Sequence, residues 1–521
     1  MSDLNILANR IYDWTQKQPD LDVLTFVAIN SQKQIVDETR TYQQLWDNGQ
    51  KLAAQLKQQG LEKGDSFGII MANHPEFVEL MVASSILGTT FVPIDPRTKG
   101  DKLKYMLDYA ECKGAVVANY SMDNVNQAWQ GRDNWIISLN DATSVLTATN
   151  EVPDFAVESD DPLAPMQLLY TSGTTGDPKA IKSSHIKFAT GASVAAVLGI
   201  TQADRPYTGL SLTHANAQIV TLGAVLTLGL RGVISIKFSK SRLWDITRQY
   251  GCTWFNLLGG MTTAIYADLP KDNDADNPVR IILSAGMPKA IWADFEQRFD
   301  VKLTEFYGAA EGGLTFNPAG AGPIGSCGKS PQNLEMKILN KDDTECAAGE
   351  PGQICFKNAD GTTPVVEYFK NPEASLKKTQ GGWLRMGDIG HVDENGWLYF
   401  HYRDGGGIRK NGDFINPAFI EKALSELDAV YDVFVYGVLN NTGGVGEKDV
   451  VAALVLNNEH EFNADSIFDY CKEKLETSFV PSFLQIVDQI PKTASEKPQE
   501  RFLLDAFDEN ADNIYCQPVI A

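Results

Sequence analysis

Apolar runs alternate with helix-period segments along most of this chain. The alternation is first clear in residues 51–118, where amphipathic stretches flank the apolar runs SFGIIM and TTFVPID. It recurs between residues 205 and 305, where four bounded apolar segments predict buried strands: GVISIKF, CTWFNLLGG, VRIILSAG and VKLTEFYG. Strands that alternate with helices are typical of a largely parallel sheet covered by helices, so the pattern predicts an α/β fold.

The pattern changes at residues 400–417, FHYRDGGGIRKNGDFINP, where three consecutive glycines give the backbone unusual freedom. We place a domain boundary there. It separates a large domain of mostly parallel sheets flanked by helices (1–404) from a small, mobile α+β domain (405–521). In the small domain, Asn416 and Pro417 supply an N-cap and a first-turn proline for a helix. The runs AVYDVFVYGV and DVVAALVLN that follow predict strands.

Composition excludes several classes of protein. The 521 residues are too many for one core, and the net charge of −22 is spread along the chain, which argues against nucleic acid or an anionic membrane surface as a partner. Seven scattered cysteines suggest neither a disulfide framework nor a zinc site. The N-terminal segment lacks the apolar core of a signal peptide, and no run reaches the roughly 20 apolar residues of a membrane span. We therefore expect a cytoplasmic protein.

One polar loop carries candidate chemistry. The segment YTSGTTGDPKAIKSSH (170–185) follows the apolar run PMQLLY, which predicts a strand, and Ser183 or Ser184 can cap a following helix. The sequence thus predicts a strand-to-helix loop whose glycines, hydroxyls and lysine suit an anion. The nucleotide P-loop formula fails because Asp-Pro separates the second glycine from the lysine. From composition alone, a polar turn that caps a helix is the alternative interpretation.

The loop resembles the signature [ST]-S-G-[ST]-T-G-x-P-K-[GA] of the adenylate-forming superfamily, which includes acyl- and aryl-CoA synthetases, luciferases and the adenylation domains of peptide synthetases. Further motifs of that superfamily follow in its order across nearly the whole chain. The resemblance implies that ATP, Mg²⁺ and CoA take part in the reaction. It also implies that the loop binds the ATP phosphates, with Thr171 at the reacting centre, through Thr171, Ser172, Gly173, Thr174, Thr175, Gly176 and Lys179.

The segment EFYGAAEGG resembles the Y-G-x-T-E motif of the superfamily. The resemblance implies that Tyr307 stacks on adenine and that Glu311 takes part in catalysis by holding Mg²⁺. The backbone of Gly308, Ala309 and Ala310 is implied to approach the nucleotide. Ala310 stands where threonine is usual, so one hydroxyl contact to the α-phosphate is absent. Upstream, SAGMP resembles the turn that lies along the adenine, which here contains Ala285, Gly286 and Met287.

Four later positions complete the resemblance. In GWLRMGDIGHVDENGWLYFHYRD, Asp388 is the implied ligand of the ribose hydroxyls, and Arg403 is implied to contact the nucleotide. Gly405 falls at the hinge, where many members carry Asp or Lys, and a glycine suits rotation of the small domain between two half-reactions. In IPKTASEKPQERF, Lys497 is implied to stabilise charge that develops during adenylation. Glu496 replaces the usual glycine beside it.

The resemblance implies the substrate pocket by position. LSLTHANAQ lies where acyl-CoA synthetases carry an L-P-L-F-H segment, so His214 is placed near the reacting carboxylate or the thiol channel, with a core histidine as the alternative. The segment lacks the carboxylate that usually holds the amino group in a peptide-synthetase domain. If Trp254 faces the ligand, an aromatic wall would accept an apolar chain, an aryl ring or a quaternary ammonium, but a tryptophan at such spacing more often belongs to the core. The other implied pocket positions are Gly259, Gly286 and Gly308.

The sequence therefore predicts an AMP-forming acid–thiol ligase, which converts a carboxylate, ATP and CoA into acyl-CoA, AMP and pyrophosphate through an acyl-adenylate. The run of motifs looks most like the carnitine and crotonobetaine CoA-ligase branch, so a small or quaternary-ammonium acid such as carnitine is the expected substrate. A homodimer is an assembly that the sequence allows. Two alternatives stay open: a standalone adenylating enzyme that loads a carrier protein, and a non-catalytic nucleotide-binding regulator.

Overall fold

The computed structural model describes residues 3–148, 150–171, 178–403, 408–410, 413–415, 417–440, 447–457, 462–491, 498 and 500–518. Several predicted site residues lie outside this set. They are residues 172–176 of the phosphate loop, the hinge glycine Gly405 and the catalytic lysine Lys497. The backbone of Arg403 is described, but its side chain is not.

Helices and strands alternate from the N-terminus, as the sequence pattern predicts. The elements up to the phosphate loop are α1 (Leu7–Lys17), β1 (Asp22–Ile29), β2 (Ile35–Thr41), α2 (Tyr42–Gln58), β3 (Ser66–Ile70), α3 (Pro75–Leu87), β4 (Thr90–Pro93), α4 (Gly100–Tyr109), β5 (Cys112–Val117), α5 (Met122–Ala128), β6 (Trp135–Ser138), α6 (Leu139–Ala148) and β7 (Pro165–Thr171). Helix α2 begins at a capping box, in which Thr41 and Gln44 satisfy each other's backbone N–H groups.

The elements after the phosphate loop complete the two sheets of the large domain. They are β8 (Lys179–Ser184), α7 (His185–Ala189), α8 (Gly191–Val197), β9 (Pro206–Thr208), a π-helical segment (Asn216–Gly223), α9 (Ala224–Leu228), β10 (Gly232–Ser235), α10 (Leu243–Tyr250), β11 (Trp254–Leu258), α11 (Gly259–Tyr266), β12 (Ile281–Ala285), α12 (Trp292–Phe299), β13 (Lys302–Ala309) and β14 (Gly312–Phe316). The four strands predicted between residues 205 and 305 are confirmed as β10, β11, β12 and β13.

The last elements form a small antiparallel sheet and the C-terminal domain. They are β15 (Leu334–Leu339), β16 (Gly352–Asn358), α13 (Pro372–Lys378), β17 (Leu384–Val392), β18 (Leu398–Arg403), β19 (Ile408–Lys410), β20 (Asp413–Ile415), α14 (Pro417–Ser425), β21 (Val430–Leu439), β22 (Lys448–Leu456), α15 (Ala464–Lys474), β23 (Phe483–Ile486), α16 (Glu500–Asp505) and β24 (Ile514–Cys516). Strands β15 to β18 are neighbours in chain order.

Two largely parallel sheets form the large domain. In the described residues, the first sheet has the strand order β14-β13-β12-β11-β9-β10-β1-β2, and its inner strands pair in parallel. The second sheet has the order β6-β5-β3-β4-β7-β8, with parallel pairing everywhere except between β7 and β8. The predicted α/β class is confirmed. Carboxyl ends of the parallel strands of each sheet therefore meet at one edge.

The main hydrophobic core lies between these two sheets. It joins Phe67 and Phe91 of the second sheet to Trp254 and Leu283 of the first. Helix α3 is part of this core, and every one of its residues is buried. A helix enclosed on all sides needs apolar or small residues all round instead of one apolar stripe, and PEFVELMVASSIL has that composition apart from its two glutamates.

The phosphate loop joins two strands, which corrects the prediction of a strand-to-helix loop. Strands β7 and β8 pair antiparallel with Thr171 opposite Lys179, and α7 begins only after β8. The predicted cap is confirmed, because Ser184 accepts a hydrogen bond from the Lys187 N–H at 3.4 Å. KAIKSS forms a strand because it gains backbone hydrogen bonds on both sides, from β7 and from residues 367–369. The N-terminus of α7 is therefore one strand away from the loop.

The C-terminal part has its own sheet and its own core. Its strand order is β21-β22-β23-β24, and β21 and β22 confirm the two strands predicted from the sequence. Helices α14 and α15 pack on it around Phe468 and Leu484. The Asn416 cap and the boundary at 404/405 lie outside the described residues, so both stay predictions.

Helix α4 of the large domain contacts the C-terminal part near α15. The Lys99 ammonium donates to the Lys472 carbonyl at 2.7 Å, and Lys102 pairs with Glu476 at 2.8 Å. The Lys102 ammonium also lies 4.6 Å from the centroid of the Phe479 ring. These contacts fix one arrangement of the two domains.

Each helix in the described part of the chain is too short or too polar to cross a bilayer. All seven cysteines are free thiols, and only Cys516 is exposed. Among the described side chains, no three His, Cys, Asp or Glu residues come together as a metal cluster would require.

Candidate active site

The turn after β12 is held by a buried carboxylate. Gly286 has a φ of +94°, which only glycine adopts readily, and its N–H donates to Glu305 Oε1 at 2.5 Å. The N–H of Met287 donates to Glu305 Oε2 at 3.0 Å. Burial raises the pKa of Glu305 to about 7, while the two N–H groups and the nearby Arg409 oppose that rise. Glu305 therefore fixes the SAGMP turn, which contains the predicted adenine-binding residues Ala285 to Met287.

Tyr307 and Asp388 meet across two different sheets. The Tyr307 hydroxyl donates to Asp388 Oδ2 at 2.5 Å, and Asp388 is only 7% exposed. The Tyr307 ring stacks on the Phe356 ring, with their centroids 6.4 Å apart and an interplanar angle of 19°. On the neighbouring strand, the backbone of Arg403 pairs with that of Asp388. The structure thus brings together the predicted adenine and ribose residues, which are far apart in the sequence.

A cluster of polar groups surrounds Glu311. Its side chain is 7% exposed, and its Oε1 accepts a hydrogen bond from the Tyr368 hydroxyl at 2.8 Å. The Lys179 ammonium lies 5.5 Å from the centroid of the Tyr368 ring. Tyr368 is held in place because its backbone bridges to Ile181 of β8. Glu311 and the end of the phosphate loop therefore lie on either side of one aromatic residue.

Lys187 adds a positive charge to the same cluster. Its ammonium donates to the carbonyl of Ala310, the residue that precedes Glu311. Burial lowers the pKa of Lys187, and the charge of Glu311 partly offsets that effect. A carboxylate with an ammonium beside it is a donor set that suits a hard cation and phosphate oxygens together. Glu311 as an Mg²⁺ ligand and Lys179 as a phosphate ligand therefore fit the described geometry.

The two ends of the phosphate loop are held together. The Thr171 hydroxyl lies 3.5 Å from the Lys179 carbonyl, and both residues are partly buried at the end of the β7–β8 hairpin. Residues 172–176 lie outside the described residues, so their phosphate contacts stay predictions, as do the roles of Gly405 and Lys497.

His214 lies on the exposed side of the site. It lies two residues before the π-helical segment, and its backbone N–H donates to the Ser211 carbonyl at 3.1 Å. The segment that carries it is fixed by Asn73, whose side chain donates to the carbonyls of Leu210 and Ser235, both at 2.9 Å. An exposed histidine after β9 is placed at the carboxyl edge of the first sheet and not in the core. Its role toward the substrate stays a prediction.

The other predicted pocket positions divide into two groups. Gly259, Gly286 and Gly308 lie at the carboxyl ends of β11, β12 and β13. A Cβ atom at Gly308 would come within 2.8 Å of the Gly313 carbonyl oxygen, so this close approach requires glycine. Trp254 is 0% exposed at the start of β11, within the main core. Its assignment to the substrate pocket therefore gains no support from the geometry.

Three residues of the site were not predicted from the sequence. Glu305 stands two positions before Tyr307 within a motif that was recognised, so the motif itself was the signal. Lys187 follows the phosphate loop by one strand, and Tyr368 lies in VVEYFKNP, which carries no nucleotide motif. Only the folded chain brings Lys187 and Tyr368 to Glu311, because their contacts depend on the pairing of β8.

Comparison with known proteins identifies the family. The family model of AMP-binding enzymes matches residues 11–364, and the model of the C-terminal domain of AMP-binding enzymes matches residues 420–497. Among curated relatives, the medium/long-chain-fatty-acid–CoA ligase FadD17 of Mycobacterium marinum is 28% identical over 86% of both chains. The crotonobetaine/carnitine–CoA ligase of Salmonella heidelberg is 26% identical over 84% of this chain and 88% of the relative.

Solved structures share the whole fold. A double mutant of o-succinylbenzoate CoA synthetase from Bacillus subtilis, bound with its product analogue OSB-NCoA, gives a TM-score of 0.82 at 24% identity and covers 98% of this chain and 99% of that chain. The same synthetase with its acyl-adenylate intermediate gives 0.67 at 24% identity, covering 95% and 97%. The chain therefore belongs to the AMP-binding enzymes, the adenylate-forming acyl-CoA synthetase superfamily, with ATP, Mg²⁺ and CoA as its cofactors.

Proposed function

We propose that this protein is an ATP-dependent acid–thiol ligase that converts a carboxylic acid and CoA into an acyl-CoA, with AMP and pyrophosphate as products. One observation supports the proposal: contacts between separate segments join Tyr307 to Asp388 and bring Tyr368, Lys187 and Lys179 to Glu311. We propose that Tyr307 and Asp388 bind adenine and ribose, and that Glu311, Lys187 and Lys179 bind the phosphates and their metal ion. The fixed Gly286 turn lies beside Tyr307 on the next strand.

In the first half-reaction, a carboxylate oxygen attacks the α-phosphorus of ATP, and the bond from that phosphorus to the bridging oxygen breaks as pyrophosphate leaves. Lys179 and Lys187 stabilise the negative charge on the phosphates, because an ammonium in a partly buried site interacts strongly with an anion. Mg²⁺ held at Glu311 would neutralise further phosphate charge. Lys497 is proposed to stabilise the charge between the carboxylate and the α-phosphate.

In the second half-reaction, the CoA sulfur attacks the acyl carbonyl carbon, and the carbon–oxygen bond to AMP breaks while the thiol proton is lost. We propose that the described arrangement of the two domains is the one for this step. The support is that the fold superposes better on the synthetase with a CoA product analogue than on the same enzyme with an acyl-adenylate, with TM-scores of 0.82 and 0.67. Both TM-scores compare this chain with the same synthetase. A difference between them is expected if the small domain takes a different orientation in the two structures of that synthetase.

The finer proposal concerns the acid. The sequence favours a small or quaternary-ammonium acid such as carnitine. The similarity to a crotonobetaine/carnitine–CoA ligase supports this substrate class. A fatty-acid–CoA ligase has a comparable identity to this chain, 28% against 26% for the carnitine ligase. The burial of Trp254 takes away the aromatic ring that was expected to attract a quaternary ammonium. An apolar acyl chain is therefore the competing substrate class.

The test is an incubation of the protein with ATP, Mg²⁺ and single acids, with and without CoA, followed by quantification of AMP, acyl-adenylate and acyl-CoA. The acids are carnitine, crotonobetaine, octanoate and benzoate. We expect AMP and acyl-CoA to appear together with one class of acid. Turnover with octanoate but not with carnitine would contradict the finer proposal and leave the ligase reaction intact.

Two other results would contradict the ligase itself. Acyl-adenylate that accumulates whether or not CoA is present would indicate an enzyme that loads a carrier protein. Nucleotide binding without turnover of any acid would indicate a regulator, the alternative that Ala310, Gly405 and Glu496 keep open. Homodimer formation and a cytoplasmic location are further proposals, which light scattering and cell fractionation test.

A further inference from the structure

A cavity of about 490 Å³ lies at the opposite edge of the first sheet from the candidate active site. It is bordered by the residues that lead into the parallel strands β1, β9, β10 and β11: Leu21, Arg205, Arg231 and Gly251. The predicted pocket and nucleotide residues Gly259, Gly286 and Tyr307 lie where parallel strands end. Five-residue β11 alone separates the two edges by about 16 Å, since a strand rises about 3.3 Å per residue.

Two arginines that form no ion pair with a carboxylate among the described residues, Arg205 and Arg231, line the cavity. Among the arginine side chains that the structure describes, only Arg10, Arg205 and Arg231 lack an ion pair with Asp or Glu. Two of these three line this one cavity. The concentration is unusual because the chain has a net charge of −22, so carboxylates are abundant elsewhere.

Arg205 is held in position before any ligand binds. Its Nη1 donates to the Tyr250 carbonyl at 2.8 Å, and its Nη2 donates to the Thr25 hydroxyl at 3.3 Å. Its guanidinium carbon lies 5.8 Å from the centroid of the Tyr250 ring. Each terminal nitrogen of a guanidinium carries two N–H groups, so one on each remains for a ligand. Arg231 is exposed and adds a second, movable guanidinium.

The carboxylate in the cavity wall is already neutralised. Asp204 accepts hydrogen bonds from Arg280 Nε at 2.9 Å and Nη2 at 2.8 Å, and from the Thr253 hydroxyl at 2.8 Å. It therefore does not compensate the charge of Arg205 or Arg231. One exposed carboxylate, that of Asp37, interacts with the Tyr250 hydroxyl at the border of the cavity. The lining keeps an excess of positive charge.

We propose that this cavity is a second ligand site, which binds a small phosphate-bearing anion such as a phosphate monoester. Guanidinium groups offer parallel N–H donors that match phosphate oxygens, and a preorganised arginine loses little freedom when it binds. The volume lies in the range of small-molecule pockets and accommodates a ligand up to the size of a mononucleotide. The site is separate from the nucleotide site because it faces the other edge of the sheet.

Equilibrium dialysis with radiolabelled inorganic phosphate at constant ionic strength tests the proposal. The variants are Arg231→Gln, which changes an exposed side chain and should fold normally, and Lys271→Gln, which removes one exposed lysine charge outside the cavity. Wild type should bind phosphate saturably, and Arg231→Gln should weaken that binding about tenfold, the usual effect of losing a charged hydrogen bond. Lys271→Gln should bind like wild type.

Phosphate bound at the nucleotide site is distinguished with Lys179→Gln, which should leave the Arg231-dependent binding unchanged. AMP should compete for the Arg231-dependent phosphate in Lys179→Gln, whereas malonate, a dicarboxylate of similar charge, should not. Equal phosphate binding by wild type and Arg231→Gln would overturn the proposal. Competition by malonate in place of AMP would overturn the assignment to a phosphate-bearing ligand.

Discussion

We propose that a single lysine compensates for a hydroxyl that this chain lacks. Ala310 stands where the superfamily usually has threonine, so its side chain offers the α-phosphate no donor. Lys187 places its ammonium against the Ala310 carbonyl, one residue before Glu311. An ammonium carries three N–H donors, so the bond to Ala310 leaves others for a phosphate oxygen. On this proposal, the donor at this position comes from α7.

We predict that Lys187→Met slows adenylate formation by about 10- to 100-fold, the usual effect of removing a donor that meets developing charge. Burial lowers the pKa of Lys187, so its ammonium deprotonates at a lower pH than that of an ordinary lysine. As the pH rises, wild type should therefore lose adenylation activity before the ordinary lysine range is reached. Lys187→Arg stays charged and should lack that alkaline decline. Pyrophosphate release measured across pH reports both effects.

The matched control for Lys187 is Lys113→Met. Lys113 is a lysine of the second sheet, and its ammonium pairs with Asp65 at 2.6 Å on the surface. Its loss should not change pyrophosphate release. An unchanged rate in Lys187→Met, or an alkaline decline that persists in Lys187→Arg, would show that the lysine only supports the fold.

At the scale of elements, periodicity predicted which segments are strands but not how they pair. The runs at β10 to β13 were predicted because a strand buried on both faces reads as a continuous apolar stretch. The segment KAIKSS was predicted to lead into a helix because its neighbours follow a helical pattern. Its true state depends on hydrogen bonds from β7 and from residues 367–369, which no local pattern contains.

The same limit explains which site residues could be predicted. Tyr307, Glu311 and Asp388 belong to motifs whose spacing along the chain is diagnostic. Tyr368 and Lys187 reach Glu311 only because β8 lies between β7 and the segment that carries Tyr368. Contacts between separate elements are set by tertiary packing, so single-sequence reasoning finds motif residues and misses the residues that support them.

The Gly286 turn gives a prediction at this scale. A Cβ atom at Gly286 would lie 2.5 Å from Arg409 Nη2, and the positive φ adds strain of roughly 1 kcal/mol. We expect Gly286→Ala to lower the free energy of unfolding and to weaken ATP binding at least tenfold, since the turn or the Arg409 guanidinium beside it must move. Chemical denaturation and calorimetric titration with ATP measure the two effects.

Gly60→Ala is the control that separates the effect of backbone strain from the effect of a steric contact at Gly286. Gly60 has a φ of +82°, and a Cβ atom there would meet nothing within 4 Å. It should lose stability without any change in ATP affinity. Adding Arg409→Ala to Gly286→Ala should restore part of the ATP affinity, because the substitution clears the space beside the turn. If Gly286→Ala binds ATP like wild type, the SAGMP turn does not contact the nucleotide.

At the scale of the whole molecule, charged contacts of described residues join the two domains beside α4. Lys102 and Glu476 form a pair of partly buried side chains, and Lys102 also lies over Phe479. A change of about 1 kcal/mol in such a contact is enough to shift a two-state equilibrium several-fold. Substitutions at the Lys102–Glu476 ion pair should therefore change the populations of the domain arrangements without altering the reacting groups.

We predict that Lys102→Glu slows thioester formation from supplied acyl-adenylate about fivefold, because it places two carboxylates in contact in the arrangement proposed for that step. Adenylate formation should stay unchanged. Lys497→Ala should show the reverse, a loss of adenylate formation with thioester formation retained. Rapid-quench measurements of each half-reaction separate these effects.

The double variant Lys102→Glu with Glu476→Lys restores opposite charges at the same two positions, and it should recover thioester formation. This recovery distinguishes a domain contact from damage to α4, which the reversed charge at Glu476 could not repair. If Lys102→Glu instead slows adenylate formation and spares thioester formation, the described arrangement belongs to the first half-reaction. The ion pair thus connects one surface contact to the order in which the whole molecule performs its two steps.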